Sequence, residues 1–166
     1  MSDFSFRFEP TYTDLISVNN ILRDTDFFSD SEIDLAISLL QEKLEDIFES
    51  SYEFVFIEND TSLIGYACYG FIQGTRSSYD LYWIAVDPAC EREGYGTLLL
   101  KKTESIIRNK RGKNIYIETS STALYEPTRL FYEKNGYERE ALIKDYYDFN
   151  DHKIIYSKKL WTKQQY

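Results

Sequence analysis

The chain has 166 residues, 43% of them hydrophobic, with two cysteines and one histidine. That is enough for one domain, expected to span residues 1–166, with a core that needs neither disulfide nor metal. A net charge of −9 argues against a nucleic-acid scaffold, no apolar run reaches the length of a membrane span, and the start Met1-Ser2-Asp3-Phe4 lacks the basic charge of a signal peptide.

Cys68 and Cys90 have no metal-type spacing, so a cytoplasmic protein with no metal, no nucleic acid and no membrane partner is expected. Phe4, Phe6 and Phe8 alternate with period two before Glu9-Pro10 and read as a short first strand. Leu15, Val18, Ile21 and Leu22 recur at helical spacing and predict a helix over about 13–23. Ser29 and Glu32 form a capping-box pattern, with Phe28 and Ile33 placed as a hydrophobic staple, so a second helix starts just after Ser29. Its stripe of Ile33, Ile37, Leu40, Leu44 and Ile47 runs to about Glu49.

Residues 52–57 and 62–71, separated by Glu58-Asn59-Asp60, predict a hairpin, and 79–86 a third consecutive strand ending at Asp87-Pro88. A helix over about 94–108 follows, with Leu99, Thr103, Ile106 and Ile107 inward, Lys101, Lys102, Glu104 and Arg108 outward, and Gly112 as its stop. Residues 114–119 form the next strand, which lies parallel to the strand before Gly94 because a helix connects the two. Pro127 opens a short helix that Asn135-Gly136 ends. Residues 137–144 and 153–160 flank a loop whose Asn150-Asp151 supplies turn chemistry for a last hairpin.

The stretch Glu91-Arg92-Glu93-Gly94-Tyr95-Gly96-Thr97 lies between a strand and a helix. Two glycines let the backbone close around a ligand, and a helix start aims unpaired N–H groups and a positive dipole end at it, which suits a phosphate or pyrophosphate. A glycine pair alone is more often just a turn.

The Arg92-Glu93-Gly94-Tyr95-Gly96 turn after Trp83-Ile84-Ala85-Val86-Asp87-Pro88, with the downstream Leu130-Phe131-Tyr132-Glu133-Lys134-Asn135-Gly136-Tyr137, resembles the GNAT superfamily of acyl-CoA-dependent N-acetyltransferases. The resemblance covers nearly the whole chain, most strongly from residue 80 to 137. It implies an α/β fold of mixed α+β type: a twisted, mostly antiparallel sheet of six or seven strands with a splayed parallel central pair and helices on both faces. It implies acetyl-CoA as cosubstrate, its pyrophosphate on the amides of Arg92, Glu93, Gly94, Tyr95, Gly96 and Thr97, and its pantetheine arm along Ile84, Ala85 and Val86. Glu91 stands where the family has Gln or Arg, so its side chain should point away and leave Arg92 as the nearer cation. Tyr125 stands where the family often has Asn.

The implied activity moves an acetyl group from acetyl-CoA to a primary amine of a small molecule or peptide, by direct attack, in a monomer or homodimer. The alternative is a non-catalytic acyl-CoA sensor on the same fold. Tyr132 matches the family tyrosine that serves as general acid toward the CoA thiolate, and a phenol of ordinary pKa near 10 stays protonated at neutral pH. For the base there are two candidates: Asp80, fourteen residues before Gly94, where some family members carry a catalytic carboxylate, and Glu118 at the end of the parallel strand. A water chain could also serve. The acceptor pocket is expected around residues 24–28, 73–78 and 146–150, whose aromatic and acidic content favours a cationic amine.

Overall fold

The structure, a computed structural model, describes residues 3–46 and 48–161. The elements follow in the order β1 (Ser5–Arg7), α1 (Tyr12–Asp24), α2 (Asp30–Glu45), β2 (Tyr52–Glu58), β3 (Leu63–Phe71), β4 (Ser78–Val86), α3 (Tyr95–Asn109), β5 (Asn114–Ser120), α4 (Glu126–Lys134), β6 (Glu138–Asp148) and β7 (Asp151–Lys159). The seven strands form one sheet in the order β1-β2-β3-β4-β5-β7-β6. Its one parallel pair is β4 with β5, Ser78–Asp80 lying against Asn114–Tyr116, as the helical connection between them requires. No helix among the described residues is long and apolar enough to cross a membrane.

The chain forms two compact units, which divide β4 and α3 between them. The first comprises the chain up to Phe71 together with Leu81–Ile106. In its sheet Phe54 pairs with Cys68 and Phe56 with Tyr66 on one face, where Val18, Leu22, Ile33 and Leu40 of α1 and α2 complete a core cluster. Phe6 pairs with Ile57 on the other face, where Lys102 of α3 sits 5.3 Å from the Phe6 ring and Tyr95 meets Phe4 edge-on. Within this unit helices therefore cover both faces of the sheet. Ser29 and Glu32 cap α2 reciprocally: the Ser29 N–H donates to Oε2 of Glu32 at 2.8 Å, and the Glu32 N–H to Oγ of Ser29. The helix ends at Glu45, short of the expected 49, and Ile47, expected on its stripe, lies outside the described residues.

The second unit comprises Ile72–Asp80 and the chain from Ile107. It holds β5, β7 and β6, paired antiparallel in that sequence, with α4. At the end of α3 the left-handed residue is Arg111 (φ 65°), not Gly112, and the Gly112 N–H closes the helix on the Ile107 carbonyl at 2.8 Å. Gly112 is needed for a different reason, since a Cβ there would lie 2.3 Å from Cγ2 of Ile107. On α3 itself Glu104, expected outward, is buried. The last hairpin is tighter than its sequence suggests: β6 extends to Asp148, so Tyr146 and Tyr147 are strand residues, and the turn is Phe149-Asn150 with Asn150 left-handed at φ 60°.

Candidate active site

The first unit carries the glycine turn. After β4, Asp87 caps a single 3₁₀ turn, Pro88–Cys90, by accepting from the Ala89 N–H at 2.9 Å. The backbone then passes through two left-handed positions, Arg92 at φ 64° and Gly94 at φ 86°. Alternating left- and right-handed residues curl successive N–H groups toward one point, and a helix start adds its own amides to the same concavity. The first intrahelical bond runs from the Leu98 N–H to the Gly94 carbonyl at 3.1 Å. Glu91, Arg92, Glu93 and Gly94 are exposed, whereas the Tyr95 side chain is buried against Phe4 and so anchors the helix start in the core. Gly96 and Thr97 are half-buried in the first turn of α3. Of the strand residues expected beside the cosubstrate, Ala85 puts its side chain into the core cluster and has only backbone to offer, while Ile84 and Val86 are half-buried.

The second unit carries the proton-handling candidates. Asp80 pairs with Tyr116 across the parallel ladder, and Glu118, two residues further along β5, shares the Tyr116 face by period two. The structure thus brings both expected carboxylates to one face. They differ in surroundings. Burial first, then the charge of Glu118, push the Asp80 carboxyl up to about 6, against the lowering effect of Lys153. Glu118 is half exposed and paired with Lys153, whose Nζ lies 2.6 Å from its Oε2.

Lys153 was not among the residues picked from sequence. It is opposite Ser120 in the β5–β7 register, diagonal to Glu118, and its side chain is 8% exposed. The ammonium lies 3.6 Å from the Tyr146 ring centroid and 6.0 Å from that of Tyr147. A regular strand would send two consecutive tyrosines to opposite faces. Here the β6–β7 register slips between Ile143 and Asp148, and Asp145 takes φ 50° with its N–H on Nδ1 of His152 at 2.9 Å, an irregularity that accompanies both rings on one ammonium. Burial draws the Lys153 pKa down, but Glu118 and Tyr146 outweigh it and the net direction is up.

Tyr132 is on the opposite face of this unit's sheet. It packs against Tyr156, which pairs with Ile117, and against Phe131 and Tyr137, with ring centroids 6.2, 5.5 and 5.8 Å away. Burial pushes its phenol pKa well up, so the proton stays on the oxygen throughout the physiological range. Thr119, on the same face as Ile117, has a buried Oγ1 without a hydrogen-bond partner. Buried hydroxyls seldom go unpaired, so this one fits a polar group of a cosubstrate such as acyl-CoA on that face of the unit. Among the described residues no cluster of three or more His, Cys, Asp or Glu side chains could hold a metal ion.

Comparison with known proteins agrees with this fold. The model of the acetyltransferase (GNAT) family matches residues 15–137. A protein from Desulfovibrio desulfuricans assigned to the GNAT family is 38% identical with a TM-score of 0.92, the match covering 96% of this chain and 100% of that one. The ribosomal-protein-S18-alanine N-acetyltransferase of Escherichia coli shares the fold at 17% identity and TM-score 0.72, over 99% of both chains. So does the PaiA N-acetyltransferase of Thermoplasma acidophilum in complex with coenzyme A, at 20% identity and TM-score 0.71, over 95% of this chain and 99% of that one. No curated protein matches in sequence.

Proposed function

The chain belongs to the acetyltransferase (GNAT) family, and we propose that it acts as a single catalytic domain that transfers an acetyl group from acetyl-CoA to a primary amine of a small molecule or peptide. The acyl donor supplies an activated thioester, so the protein needs no nucleophile of its own. The amides of residues 92–97 hold the pyrophosphate, and the backbone of Ile84, Ala85 and Val86 pairs with the pantetheine arm. The bound coenzyme A of the fold neighbour from Thermoplasma acidophilum supports this cosubstrate. The S18-alanine acetyltransferase of the same fold supports an amine as acceptor class, and free Cys68 and Cys90 support a reducing, cytoplasmic setting.

Asp80 takes the proton that the acceptor ammonium must lose before its nitrogen, as a neutral amine, attacks the thioester carbonyl. The observation that carries this choice is the contrast between the two carboxylates: Asp80 has a pKa pushed up to about 6, near the working range of a general base, while Glu118 is engaged by Lys153 at 2.6 Å. Tyr132 donates its phenolic proton to the departing sulfur, a role supported by a phenol that burial keeps protonated. Its place on the sheet face opposite Asp80 suits a reaction in which one proton leaves on one side of the acyl carbon and another arrives on the other.

The test is thiol release from acetyl-CoA across a panel of amines, amino acids and peptide N-termini, with wild type and Tyr132→Phe compared. Tyr132→Phe should lower kcat by roughly a hundred- to ten-thousand-fold while coenzyme A affinity changes little. Full turnover in Tyr132→Phe would reduce the tyrosine to packing. No turnover by the wild type with any amine would favour an acyl-CoA sensor.

A further inference from the structure

Asp80, Glu118 and Lys153 meet on one face of the second unit, and of these three the two carboxylates are of the kind an amine-binding site needs. Asp80 and Glu118 are carboxylates, and Lys153 is a resident ammonium held at 2.6 Å from Glu118 with its side chain 8% exposed. The cation rests on the Tyr146 ring at 3.6 Å, with Tyr147 beyond it at 6.0 Å. Carboxylate and aromatic faces together make up the usual surroundings of a bound ammonium ligand. In this protein those surroundings are filled by its own side chain.

We propose that Lys153 is an internal counter-ion of the acceptor face: by pairing with Glu118 and covering the two tyrosines it leaves Asp80, of these three charged groups, without a direct ion pair, so the face favours an amine with one positive charge over one with two. The inference rests on the amine-acetyltransferase reading and narrows its substrate class. Removing Lys153 leaves two carboxylates without their cation, and a second positive charge on the acceptor then gains a partner where it previously met a like charge.

The other titratable groups on this face are Tyr116, paired with Asp80, Tyr146 and Tyr147 around the ammonium, and the Asp151 carboxylate, whose charge acts on Tyr147. Asp151 accepts from Oγ of Ser120, and burial pushes the Tyr147 phenol up, away from neutral pH. Of the charges acting on Asp80, Glu118 raises its pKa and Lys153 lowers it, so removing one or the other must move Asp80 in opposite directions. That pair of signs shows that both charges reach Asp80, and the charge preference for the acceptor then separates a counter-ion of the acceptor face from a merely structural lysine.

Two measurements test the proposal on the full chain. In the first, the Asp80 carboxyl is titrated by carbon NMR without acyl donor in wild type, Lys153→Met, Lys153→Arg and Glu118→Gln. The midpoint should rise from about 6 in Lys153→Met, fall in Glu118→Gln and stay in place in Lys153→Arg. In the second, kcat/KM is measured for pentylamine and 1,5-diaminopentane. The diamine-to-monoamine ratio should rise about two- to fivefold in Lys153→Met and hold in Lys153→Arg, as expected for gaining one partly exposed charge pair. An Asp80 midpoint unmoved in Lys153→Met, or moved in the same direction by both variants, overturns the counter-ion. A wild type that acetylates pentylamine while the ratio stays fixed in Lys153→Met overturns the selection for charge and spares the proposed function. Absence of turnover with amines overturns both the acceptor reading and that selection, and the NMR titration then decides the counter-ion by itself.

Discussion

The turn before α3 and the face around Asp80 do their work with different parts of the chain. In the turn, the candidate cradle is backbone drawn from seven consecutive residues, with Arg92 and Gly94 in left-handed conformations ahead of the opening amides of α3. Around Asp80, side chains from four strands converge: Asp80 from β4, Glu118 from β5, Tyr146 from β6 and Lys153 from β7. A backbone site tolerates changes of side chain and fails when its conformation changes. A side-chain site behaves the other way round. If the turn holds the cosubstrate and Asp80 is the base, as proposed, binding and proton transfer can be damaged separately.

The largest separation is expected from Asp80→Asn. If Asp80 is the base, kcat/KM in the wild type should rise with pH through about 6 as the carboxyl ionises, and the variant should lose that limb together with roughly a hundredfold or more of its rate. Coenzyme A affinity, measured by calorimetry, should stay within about twofold. An Asp80→Asn enzyme that keeps the limb would pass the role to Glu118 or to water, and one that loses coenzyme A affinity instead would erase the distinction between the two regions.

The reverse separation should come from Gly94→Val. A β-branched residue at φ 86° is strained by about 1–3 kcal/mol, and the turn should relax to a different path. Coenzyme A affinity should fall by about tenfold or more, while the Asp80 midpoint, read by NMR, remains near 6. Unchanged affinity with the fold intact would remove the turn from the binding site.

The same contrast explains what the sequence reveals. Ser29 and Glu32, the glycine turn and the helix carrying Tyr132 are local patterns: each is read within a few residues, and each element is found where its pattern puts it. The parallel placement of β5 followed from one intervening helix. Lys153 was missed because its importance depends on which residue of β5 faces which residue of β7, and that register is not written in either strand alone. Tyr146 and Tyr147 read as loop residues because an Asn-Asp pair follows them, and the left-handed Asp145 that accompanies both rings on one ammonium has no glycine to mark it. Glu104 looked outward on helical spacing, yet it is buried, since a charged side chain can be drawn inside when a partner is present.

The smallest expected effect concerns stability, and it tests the environment of Asp80 without any substrate. Its folded pKa of about 6 lies above the ordinary aspartate value of 3.8, so the folded protein holds the proton more tightly than the unfolded chain does. The stabilisation from that proton is full below about pH 4 and is lost as the pH rises through 6. Above 6 the folded state must keep a half-buried negative charge beside Glu118, with only Lys153 in compensation. Asparagine carries no charge to desolvate, so Asp80→Asn should leave Tm nearly unchanged at pH 4 and raise it by about 1–3 °C at pH 8, a modest gain because the group is partly solvated. Calorimetric scans of wild type and variant at pH 4, 6 and 8 make the comparison. A gain of equal size at every pH would mean that the substitution acts through packing. A loss at pH 8 would mean that the attraction of Lys153 outweighs burial and Glu118 together, which would place Asp80 inside the ion pair and remove it as the free base of this face.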